Sequence, residues 1–151
     1  MVGPVTATSV AIQSLTGSSA VNQDSVDTVQ DGNVGGAEAL LIHVRAEIAS
    51  GAPSAATVAV ALQESSDNST WAAANDNTGT AIGATLNVHS AAQDYYARVE
   101  GIGLNRKRYL RLVYTPAFTG GTSPAILTYG ELIGVPGNGA VLPVRTAVSN
   151  T

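Results

Sequence analysis

Between residues 38 and 48 the chain alternates with a period of two: Leu40, Ile42, Val44, Ala46 and Ile48 fall on one side, and Leu41, His43, Arg45 and Glu47 on the other. Successive side chains of a strand point to opposite faces, so the pattern predicts a half-buried strand. Residues 55–64 repeat it, with Val58, Val60 and Leu62 inward and Thr57, Ala59, Ala61 and Gln63 outward. The alanines here also tolerate a helix, but the β-branched valines and the preceding Gly51, Ala52, Pro53, Ser54 turn favour a strand. Further strands are expected at 8–14, 80–88, 95–100, 108–115 and 125–135, with weaker ones near 25–30 and 141–144. Tyr109 and Tyr114 fall on opposite faces of one of them. No long apolar stripe of helical period competes.

Clusters of turn formers separate these runs: Asp31, Gly32, Asn33; residues 65–70; 75–79; 118–124, with Gly120 and Gly121; and 136–139. Short strands punctuated this often predict antiparallel pairing, because parallel strands need crossovers of about a dozen residues. The expected fold is all-β: one antiparallel β-sandwich spanning 1–151, jelly-roll-like, with no linker that divides it and no internal repeat. The two ends differ from the middle. Residues 1–9, with Val2 and Pro4, and 136–151, with Val141, Leu142, Pro143, Val144 and Arg145, are read as extended arms. They are either edge strands and frayed ends, or segments that order on a neighbouring subunit, where the prolines lower the entropy cost of ordering.

Composition narrows the chemistry. Charged residues make up 12% of the 151 and cysteine is absent, which removes disulfides, thiol nucleophiles and thiolate metal sites together. The net charge of −4 argues against general nucleic-acid binding, which needs Lys and Arg to neutralise phosphates. No run approaches the ~18 apolar residues of a membrane span, and the start of the chain lacks the basic and apolar regions of a cleaved signal, so a soluble, unexported protein is expected.

Candidate catalytic groups are few. Of the two histidines, His43 lies on the outward face of its strand, in a surface or interface role, and His89 follows Val88 at a strand end. No Gly-x-Ser-x-Gly elbow accompanies them, and no carboxylate or serine partner can be assigned to either. Asp24, Asp27, Asp31, Asp67, Asp76 and Asp94 sit in or beside turns, where aspartate caps backbone amides, so neither a glycosidase pair nor a calcium loop is expected. Gly101-Ile102-Gly103 lacks the third glycine of a dinucleotide fingerprint and reads as a turn. No enzyme, metal or cofactor is implied.

Charge distribution says more. Residues 94–111 hold five of the seven bases, Arg98, Arg106, Lys107, Arg108 and Arg111, and two of the eleven acids, a local balance of +3 against −7 elsewhere. A basic loop and strand on an acidic body is a candidate docking patch for an acidic surface, the bland reading being a solvated loop. Trp71, the only tryptophan, follows a polar turn, where it is expected to cap the edge of the core; a sugar-stacking platform is the rival.

The segment Val60-Ala61-Leu62-Gln63-Glu64-Ser65-Ser66-Asp67-Asn68-Ser69-Thr70-Trp71 and the later Arg108-Tyr109-Leu110-Arg111-Leu112-Val113 carry a resemblance. A strand ending in a Gln-x-Ser-x-Asp-x-x-x-Trp turn, followed by an Arg-Tyr-aliphatic-Arg strand, resembles the decoration, or cement, proteins of tailed bacteriophages. Asn68 stands where glycine is commonest, and asparagine is the next residue to accept a left-handed backbone. A similar Ser-Asp-x-x-Thr-Trp turn occurs in discoidin-like sugar-binding sandwiches. The resemblance implies a non-enzymatic virion protein, made in the bacterial cytoplasm, that binds the major capsid protein on the outer surface of the head. It also implies a homotrimer that bridges capsomers, with no nucleic-acid or membrane partner. Two other classes stay open: a carbohydrate- or receptor-binding module of a phage tail, and a head-to-tail connector or tail component forming rings of higher order.

Overall fold

The computed structural model describes residues 7–27, 37–76, 78–100 and 106–136. Its strands are β1 (Ala7–Thr16), β2 (Val21–Asn22), β3 (Val26–Asp27), β4 (Ala37–Ser50), β5 (Ala55–Ser65), β6 (Ala72–Ala73), β7 (Gly83–Asn87), β8 (Gln93–Glu100), β9 (Tyr109–Thr119) and β10 (Ala125–Pro136). No helix occurs among the described residues. Every pairing is antiparallel. The first sheet runs β1-β10-β4-β8, and the second runs β2-β9-β5-β6, with β3 also on β9 and β7 also on β5.

Two of these strands are interrupted. Between β2 and β3 the Gln23 amide still donates to the Leu112 carbonyl of β9, at 2.9 Å, and β6 and β7 lie one after the other along β5. Counting β2 with β3 and β6 with β7, the described residues form eight strands, ordered 1-8-3-6 in one sheet and 2-7-4-5 in the other. Successive strands therefore alternate largely between sheets, which is the double Greek key of a jelly roll. The expected sandwich and its jelly-roll character are both present.

The period-two reading is met closely in β4 and β5. Leu40, Ile42, Val44 and Ala46 are buried, as are Ala56, Val58, Val60 and Leu62, so the alanine-rich segment is a strand, fixed on the core by its valines. β9 runs past the expected end at Thr115, through Pro116 to Thr119. A proline lacks the amide needed on one side of a ladder. Here β2 reaches only to Tyr114, so Pro116 has β5 on one side and no described neighbour on the other. The expected strand at 80–88 is shorter, Gly83–Asn87, and that near 25–30 covers Val26–Asp27. β1 begins at Ala7 and β10 ends at Pro136, within the bounds set for the two arms. Val2, Pro4, Val141, Leu142, Val144 and Arg145, the turn at 31–33 and Gly101-Ile102-Gly103 all lie outside the described residues.

Tyr114 is the largest fully buried side chain, as its inward phase on β9 requires. Its hydroxyl donates to Gln23 Oε1 at 2.6 Å, and Gln23 Nε2 donates to the Gly130 carbonyl of β10 at 3.2 Å. This buried chain crosses the sandwich from one sheet to the other and satisfies both polar side chains. Burial pushes the Tyr114 phenol far above its ordinary pKa, so it stays a donor. Residue 130 must be glycine, because a Cβ there would run into the Tyr114 hydroxyl and Gln23 Oε1.

Two aspartates organise the loops as expected. Asp67 Oδ1 accepts the amides of Ser69 and Thr70, at 2.9 and 2.8 Å, and the Ser65 hydroxyl at 2.8 Å, while Asn68 takes the left-handed backbone, φ 58°. Asp76 Oδ1 accepts the amides of Thr78 and Thr80 and the Thr78 hydroxyl. Backbone amides hold the Asp67 carboxyl far below the usual range, and the Thr78 hydroxyl leads the same effect at Asp76. Both carboxylates are occupied by their own loops.

Two predictions follow from these contacts. Tyr114→Phe leaves Gln23 Oε1 buried without its donor and should cost about 1–3 kcal/mol in denaturant titration, and Gly130→Ala should cost a similar amount by overpacking. Losses within error for both would show that the chain does not tie the sheets. A depressed carboxyl contributes stability above its unfolded pKa and loses it as pH falls. The denaturation midpoint should therefore drop below about pH 4, and Asp67→Asn with Asp76→Asn should be less stable at neutral pH and flatter across the acid range.

Candidate functional site

A strand buried on one side has only its outer side chains available for a partner, so the sheet faces decide where a site can lie. The second sheet presents the small residues Thr57, Ala59, Ala61, Thr85 and Thr115, with Gln63, Tyr109 and Arg111 outward toward one end. The first sheet presents a different set. Cross-strand register lines up Ile12, Tyr129, Arg45 and Asp94 in one row. Glu131, His43 and Tyr96 form the next row, and Leu127 with Glu47 lies on the other side. The three exposed large apolar residues of the described chain, Ile12 (74%), Tyr96 (37%) and Leu127 (36%), all stand on this face.

At its centre His43 is held on every side. Its Nε2 lies 2.9 Å from Asp94 Oδ1 of β8, and its Nδ1 lies 3.0 Å from Glu131 Oε1 of β10. The ring stacks on Tyr96, centroids 4.6 Å apart and planes 5° from parallel, and meets Tyr129 edge-on at 5.9 Å. Arg45 Nη1 donates to the other Asp94 oxygen at 2.8 Å, and the Tyr129 hydroxyl donates to Glu131 at 3.1 Å. Burial, with Glu131 beside it, raises the Tyr129 phenol. An imidazolium can donate to both carboxylates, a neutral ring to only one. The partners approach opposite edges of the ring, so they brace β4 against β8 and β10 and do not converge on an ion. Among the described residues no group of three His, Asp or Glu is placed to hold a metal.

The sequence reading found no carboxylate partner for His43, and the structure corrects it. The signal was present in period, since His43, Asp94 and Glu131 are all outward, but strand order and register bring them together and neither is written locally. Beside this network, Ile12, Leu127, Thr128 and Tyr129 with Arg45 and Glu47 line an open groove of about 190 Å³. The sequence reading missed this too. Ile126 and Leu127 are adjacent and both apolar, so the phase of β10 could not be fixed until Ile126 is seen buried and Leu127 exposed.

The five bases of residues 94–111 do not form one patch. Arg98 stands on β8, in the first sheet, opposite Leu41. The other four follow at the start of β9 in the second sheet, where most are tied internally. Arg108 grips Asp27 through two hydrogen bonds of 3.0 and 2.7 Å, which raises its own pKa. Arg106, its side chain 6% exposed, lies 3.7 Å from Glu64 and donates to the Asn75 carbonyl. Arg111 donates twice to Gln63 Oε1, at 2.9 and 2.7 Å. Lys107 is exposed, and its backbone amide is 3.3 Å from Glu64.

Trp71 is half-buried outside the main apolar cluster, with the Arg111 guanidinium 4.1 Å above its ring, a cation–π pair that occupies one face. His89 is exposed, and its amide caps back onto Asn87. Among the described residues no helix is long and apolar enough to cross a membrane.

Comparison with solved structures gives distant likenesses. A chain of desmodium yellow mottle tymovirus is 15% identical, with 92% of this chain and 85% of that one covered and a TM-score of 0.36. A chain of sacbrood virus of honeybee is 11% identical, with 73% and 57% covered and a TM-score of 0.33. No curated protein matches in sequence. A protein-family match does extend over residues 3–130, from before β1 into β10, and by it the chain belongs to the Bbp16 family.

Proposed function

We propose that the chain is a structural virion protein of a tailed phage, which binds the outside of the capsid and stabilises the head by bridging capsomers. The observation that carries this is the gathering of Ile12, Tyr96 and Leu127, the exposed large apolar residues, on one face of one sheet. Apolar groups collected on a single braced surface mark a contact site. The jelly roll supplies a stiff body, and the Asp94–His43–Glu131 bracing fixes the side chains of that face before any partner arrives, which lowers the cost of binding.

Function then consists of adhesion, with no bond made or broken. The partners are the major capsid protein and further copies of this chain, grouped as trimers, and the place of action is the outer capsid surface after synthesis in the bacterial cytoplasm. The terminal arms, with Val2, Pro4, Val141, Leu142, Val144 and Arg145, extend the contacts. Arg98 and Lys107 lie at different sheets and form no single basic patch, while Arg106, Arg108 and Arg111 mainly hold the second sheet together. Many contacts, each of ordinary size at about 800 Å² per partner, secure a shell collectively even where each is weak. A sugar platform on Trp71 is disfavoured by the guanidinium already stacked there.

The test adds purified protein to shells that lack it. Regular extra density on the outside by electron microscopy, with a higher shell melting temperature, is expected; bare shells at saturating protein overturn the reading, as does assembly into rings of higher order than three. Tyr96→Ala should weaken attachment by about 2 kcal/mol, roughly thirtyfold. Thr85→Ala, on the opposite face, should leave attachment unchanged.

A further inference from the structure

Cross-strand register sets the side chains around the groove in two adjacent rows. Ile12, Tyr129 and Arg45 stand in one, and Ser14, Leu127 and Glu47 in the other, two residues further along the strands and so about 7 Å away. Tyr129 and Leu127 are therefore consecutive outward residues of β10, and Arg45 and Glu47 are consecutive outward residues of β4. An apolar pair runs beside a pair of opposite charges. Arg45 gives Nη1 to Asp94 at 2.8 Å, yet its side chain stays 48% exposed and a guanidinium has further N–H donors to offer. Glu47 is exposed and has no ion pair among the described residues.

A face patterned in this way is complementary to itself. A two-fold axis lying in the face, across the strands and midway between the two rows, turns each row onto the other. Arg45 of one copy then meets Glu47 of the second and Glu47 meets Arg45, while Tyr129 and Leu127 exchange in the same way on β10. Both charge pairs and both apolar pairs come from one operation, as an isologous interface requires. Other axes do worse. One level with either row sets Arg45 on Arg45 or Glu47 on Glu47, and one along the strands between β10 and β4 lays Glu47 on Leu127, a carboxylate desolvated with no cation to meet it. β8 begins at Gln93, opposite Ala46, so no strand flanks Glu47 on that side and the charge pairs lie toward the rim, where desolvation costs least.

We infer that two copies of this chain pair face to face through the first sheet, about a two-fold axis that sets Arg45 of each against Glu47 of the other and Tyr129 of each against Leu127 of the other. Ile12, 74% exposed in the single chain, is covered by the same contact. The packing repeats between copies what the two sheets already do within one, layer on layer with apolar groups between. This contact does not rest on attachment to a capsid, since it needs only two copies of the chain, and Tyr96 lies one row further along, outside the paired rows.

Sedimentation of the full chain over a range of concentrations tests it without shells. The unaltered protein should form an assembly with an even number of copies at high micromolar concentration, and Leu127→Ser should weaken it. Glu47→Arg sets arginine against arginine twice and should raise the dissociation constant about tenfold. Arg45→Glu sets glutamate against glutamate and should act likewise. Mixed together, these two charge variants meet as opposite charges on both sides of the axis, so they should form a heterodimer at least as tight as the unaltered pair. A monomer or an odd-numbered assembly overturns the inference, as does an assembly that Glu47→Arg leaves unchanged, or a folded Arg45→Glu protein that fails to pair with Glu47→Arg. Bare shells in the attachment test leave these outcomes untouched, so failure of the one reading is told apart from failure of the other.

Discussion

A strand has two faces, and in a two-layer sandwich the core claims one of them. That constraint governs what this molecule can do. Leu40, Ile42, Val44 and Ala46 go inward on β4, so Leu41, His43, Arg45 and Glu47 must go outward, and the same phase fixes Ile12, Leu127, Tyr129, Glu131, Asp94 and Tyr96 on the strands beside it. One buried exception crosses the core, the Tyr114–Gln23–Gly130 chain. It couples the sheets through hydrogen bonds whose loss would leave buried groups unpaired, so it sets their separation and relative position more sharply than apolar contact alone.

Most of this architecture is legible in the sequence because it is local. Period two is visible in residues 38–48 and 55–64 without any knowledge of neighbours, and the Asp67 and Asp76 loops are readable because an aspartate caps amides two to four residues ahead of it. Asn68 in the left-handed region follows from its place in that turn. What could not be read is everything set by register. Asp94 is 51 residues from His43 and Glu131 is 88, and only the order β10-β4-β8 makes them flank one ring.

The basic segment shows the same limit from the other side. Five bases within residues 94–111 suggest a patch as long as sequence proximity stands for spatial proximity. Folding sends Arg98 to one sheet and the others to the second, where Asp27, Glu64 and Gln63 receive three of them. The Arg108–Asp27 pair, with its arginine 40% exposed, adds little stability by itself. The larger effect of these contacts is to remove charge from the surface, which shifts the site from a basic loop to a face built around aromatic and aliphatic groups.

That shift alters the physical character of the adhesion proposed above. Contact through a charged loop would weaken steadily with salt, because exposed charges are screened over about 8 Å at physiological ionic strength. Contact through Ile12, Leu127 and Tyr96 depends instead on removing apolar surface from water and so tolerates salt. The charges near that surface, Asp94, Glu131 and Arg45, are committed to one another and to His43, and serve to hold its shape. Glu47, which lines the groove beside Leu127, has no ion pair among the described residues, so its charge stays uncommitted at the edge of the apolar floor.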